Sequence, residues 1–186
     1  MTISITSAAF LATSLGVFLT FGWGVVAHFR SHATPAGMRL ISLMSVLAII
    51  VVAIQAWMDA PQPLWLGVGM AIQLTALALF LMAVRETRAS RLTLAYDDDR
   101  PTFLVSTGPY RYIRHPFYTS YILFWLGCTI ALRDLYLGVL TTIIFFLYSI
   151  AAYREEAKFK SSALRDAYED YRLNAGFLWP KPPRRS

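Results

Sequence analysis

Long apolar runs alternate with short polar punctuation along this chain. Ile3–Phe29, Leu40–Met58 and Leu64–Val84 contain no Asp, Glu, Lys or Arg, and neither do Phe117–Leu132 and Leu135–Tyr153. A helix rises 1.5 Å per residue, so ~20 such residues cross the ~30 Å hydrocarbon layer of a bilayer. Each run is apolar on all sides, which suits lipid rather than water. The pattern predicts an all-α integral membrane protein of about five transmembrane helices. The connection Arg133-Asp134 is so short that the last two must form an antiparallel hairpin. After the hairpin the pattern changes. Over Ala157–Leu173, Phe159, Leu164, Tyr168 and Tyr171 fall toward one side with Lys and Arg on the other. This predicts an amphipathic cytoplasmic helix lying against the membrane surface, ended by Gly176.

Composition supports the bilayer: 56% of the 186 residues are hydrophobic and the mean hydropathy is +0.49. One membrane domain over 1–186 is expected. It comprises three N-terminal spans (1–84), a block with the long inner connection, hairpin and C-terminal helix (85–180), and a basic tail (181–186). The first run lacks the basic start of a secretory signal and is too long for one. Sixteen of the seventeen Lys and Arg fall on one side if the N-terminus is outside. By the positive-inside rule the long connection and the C-terminus are then cytoplasmic. That distribution accounts for the net charge of +6, and no nucleic-acid motif accompanies it. The single cysteine, Cys128, excludes an internal disulfide and a cysteine-based zinc site. Asp97, Asp98 and Asp99 are consecutive rather than alternating as in a calcium loop, so they read as a solvated acidic turn and no metal is expected. Ser14, Gly16, Gly22 and Gly24 allow close helix packing, Gln55 and Gln73 suit interhelical hydrogen bonds, and Trp23 and His28 suit an interface.

The chemistry concentrates in GPYRYIRHPFYTSY, residues 108–121, with five aromatic rings, two arginines and a His-Pro pair. From Pro116 to the hairpin turn is roughly 26 Å, and from there to Glu155 roughly 32 Å, at helical rise. Arg111, Arg114 and His115 therefore start the fourth span where Arg154, Glu155 and Glu156 leave the fifth. Pro116 suits the first turn of a helix, whose free N–H groups favour an anion. Arg111 and Arg114 offer bidentate recognition. Tyr110, Tyr112, Phe117, Tyr118 and Tyr121 offer faces for a planar base or a cation, and Glu155 and Glu156 a partner for an amine or a sulfonium. A ligand with an amino-acid end, a positive sulfur and an aromatic base uses all of these, and S-adenosylmethionine has all three. Interfacial anchoring by the same Tyr and Arg residues is the plain alternative.

The order Gly-Pro-Tyr-Arg-Tyr-Ile-Arg-His-Pro-Phe-Tyr at 108–118, an apolar hairpin, Glu155-Glu156, Tyr168-x-x-Tyr171 and Pro180 resembles the isoprenylcysteine carboxyl methyltransferase family. Phospholipid N-methyltransferases and sterol reductases carry variants of the motif. The resemblance spans Gly108 to Pro180 and implies an S-adenosylmethionine-dependent methyltransferase without a Rossmann domain. Its cofactor pocket would be cytoplasmic. Tyr110, Tyr112, Arg114, His115, Pro116 and Tyr118 would line it with Glu155 and Glu156, and Tyr171 would close it. Arg154 and Glu156 would stand near the transfer site. The acceptor implied is a lipophilic small molecule or lipidated, isoprenylcysteine-like carboxylate entering from the bilayer. O, S and N acceptors all stay open, and no motif specifies an oligomeric state. Two departures stand out: Ser120 where the family often has Gly, and Asn174 and Phe177 where relatives carry bases. A membrane NADPH-dependent reductase and a non-enzymatic scaffold are the rival readings.

Overall fold

The computed structural model describes residues 3–28, 35–58, 61–88 and 101–182. Among them all regular structure is helical: α1 (Ile5–Ala27), α2 (Ala36–Met58), α3 (Pro63–Glu86), α4 (Pro116–Leu132), α5 (Leu135–Lys160) and α6 (Arg165–Asn174), with a 3₁₀ turn at Gly108–Arg111 before α4. Four of these, α1, α2, α3 and α5, are long and apolar enough to cross a membrane, and α4 is shorter. Pro116 starts α4, and Arg133, in the left-handed region at φ 54°, stops it. Asp134 then caps α5, its carboxylate accepting from the Leu137 N–H at 2.7 Å. This two-residue connection makes α4 and α5 the expected hairpin. Asp97–Asp99 lie outside the described residues.

α3 is the hub, with its broadest contact to α4 and a second to α1. Lipid offers no hydrophobic drive between helices, so small residues and polar pairs must hold them. Gly69 of α3 and Gly127 of α4 bring the two backbones together: a Cβ at Gly69 would meet the Gly127 carbonyl and Ala131. Gly24 of α1 likewise makes room for the Phe80 ring. Gln73, fully buried, exchanges hydrogen bonds with Ser14 of α1 and donates to the Cys128 sulfur of α4. It ties three helices, the interhelical role expected of it. The Gln55 carbonyl oxygen has no partner among the described residues. Trp23 is exposed, whereas His28 turns inward and its Nε2 donates to Thr87 at 2.8 Å. Around this frame Phe21, Phe80, Phe117 and Phe124 form one buried aromatic cluster.

The amphipathic segment departs from expectation. α5 does not end near Tyr153 but runs two turns further to Lys160, and a break at 161–164 precedes α6. The Ser161 and Ser162 hydroxyls donate to the Lys158 and Phe159 carbonyls, and Ser162 also accepts from the Leu164 N–H. Such local bonds compete with the helix ladder and end it. The aromatic side of α6 therefore turns back under the hairpin, with Tyr168 buried against Phe159 at 4.3 Å between ring centroids.

The hub generates a test of opposite signs. Gly67, on the exposed side of α3, has open space around it. Gly67→Ala should raise the thermal unfolding midpoint in detergent, reflecting up to about 1 kcal/mol of helix propensity. Gly69→Ala should lower it, with overpacking costing about 2 kcal/mol.

Candidate active site

Helical spacing assembles the site from four segments. On α4, Phe117, Tyr118 and Tyr121 are three and four residues apart and share a face. On α5, Tyr148, Glu155 and Phe159 fall on one stripe, and α6 adds Tyr168 and Tyr171. The fourth segment, Phe103–Tyr110, is pinned at its end. Gly108 adopts φ 56° against the Glu86 side chain, and the Thr107 hydroxyl donates to the Glu86 carboxylate. These side chains surround a cavity of about 110 Å³, completed by Val25 and Met38 from the ends of α1 and α2.

Its base is an ionic knot. Arg114 Nε donates to Glu156 Oε1 at 2.8 Å, and His115 Nε2 donates to the same oxygen at 3.0 Å. Both the Arg114 and Glu156 side chains are only 11% exposed. Arg114 also donates to the Ala175 carbonyl at 2.6 Å and lies over the Phe177 ring. The segment after α6 is thereby strapped beneath α4. The Arg114 N–H donates to the Gly176 carbonyl, the Gly176 and Lys181 N–H groups both donate to the Tyr112 carbonyl, and the Thr119 hydroxyl donates to the Leu178 carbonyl. A Cβ on Gly176 would run into the Trp179 carbonyl, so only glycine permits this fold-back. Lys181, at the start of the basic tail, also donates through Nζ to the Leu173 carbonyl.

Glu155 stands apart from its neighbour. Its side chain is 48% exposed and borders the cavity. Oε2 accepts from the Tyr118 hydroxyl at 3.1 Å and lies 3.8 Å from His115 Nδ1. His115, Tyr118 and Tyr148 stack in sequence, with successive centroids 5.6 Å apart. Tyr171 donates to the Tyr110 carbonyl at 2.7 Å and joins α6 to the 3₁₀ turn. Burial, first of all, pushes the phenols of Tyr110, Tyr168 and Tyr171 above their ordinary range; Glu155 adds to all three and Glu156 to Tyr168 and Tyr171, with Arg114 opposing in the latter two. All three remain neutral at working pH.

Tyr110, Arg114, His115, Pro116, Tyr118, Glu155 and Tyr171 thus border the cavity. Glu156 sits behind its wall, Tyr112 is exposed and contributes its carbonyl to the strap, and Arg154 is on the exposed side of α5. The Arg114 guanidinium is committed to Glu156 and Ala175 rather than held open for a ligand carboxylate. Phe103, Leu104 and Val105 also border the cavity. The only sequence signal for them was an apolar triplet in an otherwise polar connection. Among the described residues, no three His, Cys, Asp or Glu side chains converge as a metal site.

A mostly aromatic cavity with Glu155 on its rim thus lies at the base of the α4–α5 hairpin. Residues 64–167 match the family model for phospholipid methyltransferase, more than half of the chain. The chain belongs to that family, which includes the isoprenylcysteine-type membrane methyltransferases, so the resemblance seen in residues 108–180 holds at that level. No curated protein matches the chain. Family membership implies methyltransferase activity in general.

Breaking one side of the knot leaves a charge in a mostly buried place. Glu156→Ala and Arg114→Ala should each destabilise by about 3 kcal/mol, measured by denaturant unfolding in detergent. The double variant should cost less than their sum by about 1–3 kcal/mol. Gly176→Ala should release the strap, read as faster proteolysis C-terminal to Asn174 with the spans intact.

Proposed function

We propose that this chain is an S-adenosylmethionine-dependent methyltransferase of a lipophilic small molecule or isoprenylcysteine-like carboxylate, acting at the cytoplasmic membrane face. The observation that carries the reading is Glu155, a half-exposed carboxylate on the rim of an aromatic cavity in a methyltransferase-family chain. The lining suits the cofactor's chemistry: the carboxylate matches a positive centre, and the stacked His115, Tyr118 and Tyr148 rings match a planar base or a cation. The distribution of Lys and Arg supports an outside N-terminus and a cytoplasmic site.

When bound, the cofactor would supply a methyl group already activated by its sulfonium. The protein's share is then mainly alignment, the largest gain available to a two-reactant step. Glu155 and the rings would hold the positive end. Tyr118, by hydrogen-bonding Glu155, fixes the direction of that carboxylate. Glu156 is a positioning residue that works through Arg114 and His115. Arg154, on the outer side of the same turn, would lie near the polar head of an arriving acceptor. A carboxylate acceptor has no proton to lose, whereas an amine or thiol would pass one to Glu155 or His115. Val25, Met38 and the Phe103–Val105 segment give the cavity an apolar side on which a membrane-dissolved acceptor can rest.

Titration calorimetry of the purified protein in detergent tests this. S-adenosylmethionine should bind with micromolar affinity, and Glu155→Ala should weaken it about tenfold or more, the loss of a charged partner. NADPH should give no heat. Binding of NADPH in place of S-adenosylmethionine would make the protein a reductase, and silence toward both would refute an enzyme of either class.

A further inference from the structure

Two hydroxyls in the cavity wall, those of Tyr121 and Tyr168, have no hydrogen-bond partner among the described residues; Tyr168 lies beside the Arg114–Glu156 knot, whereas Tyr121 is set apart from it. Tyr121 lies three residues beyond Tyr118 on α4 and borders the same cavity. Its side chain is 7% exposed, yet its hydroxyl has no hydrogen-bond partner among the described residues. Tyr118 spends its hydroxyl on Glu155, but Tyr121 is set among uncharged rings: Phe21 at 4.9 Å, Tyr148 at 5.3 Å and Phe80 at 6.0 Å between centroids. A buried hydroxyl without a partner is costly, and Phe would fill the same space without that cost. Its place in a cavity wall points to a bound molecule as the missing partner.

We propose that the Tyr121 hydroxyl grips the head of the methyl acceptor, and that this head carries a neutral oxygen. The phenol donates one hydrogen bond to a hydroxyl, ether or carbonyl oxygen while the apolar remainder of the molecule lies against Val25, Met38 and Phe117. An anionic head at this depth would have no cation among the ring neighbours of Tyr121, and burying an unpaired charge is far costlier than burying a neutral oxygen. Tyr121 is therefore a positioning and selectivity residue, placed deeper than the Glu155 rim. The term acceptor rests on the methyltransferase reading above; the contact itself does not.

The test uses Tyr121→Phe beside the wild-type chain in phosphatidylcholine nanodiscs, with tetradecanol, myristate and tetradecane as probes. Tetradecanol should bind about fivefold more weakly to the variant, one neutral hydrogen bond, while tetradecane binds both equally. The unliganded variant should unfold at the same or a higher temperature. Equal tetradecanol binding to both proteins, or none to either, overturns the proposal. A Tyr121-dependent preference for myristate overturns the neutral head. S-adenosylmethionine titrated into the same samples separates the two readings. Affinity unchanged by Tyr121→Phe agrees with an acceptor contact, and its loss assigns the hydroxyl to the cofactor. Absence of S-adenosylmethionine binding in the wild type, with the tetradecanol difference intact, refutes the methyltransferase reading and leaves the Tyr121 contact standing.

Discussion

A single carboxylate oxygen, Glu156 Oε1, receives both Arg114 and His115, and the lower half of the protein is organised around it. The start of α4 and the end of α5 could splay apart once they leave the apolar layer, because nothing but water would separate them. The shared oxygen prevents this, and the other arm of Arg114 reaches on to the Ala175 carbonyl. Three pieces of chain far apart in sequence thus meet at one anion. A charge this enclosed is tolerable only because the Arg114 guanidinium and the His115 ring N–H meet its hydrogen-bonding capacity. The same commitment explains why Glu155, one residue earlier, is left to face the cavity: successive residues on a helix point about 100° apart.

Above the knot the solvent changes and so do the means of cohesion. Within the apolar layer the helices are held by close backbone approach at Gly69 and Gly127, by the Ser14–Gln73–Cys128 bonds and by interlocked rings. Below it, charge pairs and backbone hydrogen bonds take over, as in the parallel pairing of Ile113 with Gly176. The cavity lies where the two regimes meet. Its walls are aromatic because rings suit both sides of such a boundary, with an apolar face and, in tyrosine, a polar edge. The proposed meeting of a water-soluble methyl donor with a membrane-dissolved acceptor would call for a place of this kind.

Much of this was legible in the residues. Except at the end of α5, the apolar runs located the long helices to within a few residues, because a bilayer imposes length and composition directly. The two-residue Arg133-Asp134 connection dictated a hairpin, and simple helical rise then brought Arg114 and His115 to the level of Glu156. The motif order pointed to the methyltransferase family that the match over 64–167 shows. The amphipathic helix was the weaker inference. Its periodicity was real, but Ser161 and Ser162 redirect their hydroxyls to nearby carbonyls, and that competition depends on local backbone geometry rather than on hydrophobic period.

By itself, then, the sequence determined an all-helical membrane chain, the position of its apolar helices, its hairpin and the set of residues gathered at one boundary, since each follows from composition or spacing along a single helix. Only the tertiary structure decided how those residues divide their work. Arg114 and Glu156 are bound to each other and to the strap, Glu155 faces the cavity, Tyr112 acts through its carbonyl, and Tyr121 is left with a buried hydroxyl to share. Those assignments depend on the rotation of α4, α5 and α6 about their axes relative to one another. Side-chain packing across helices sets that rotation, and no pattern along one chain segment records it.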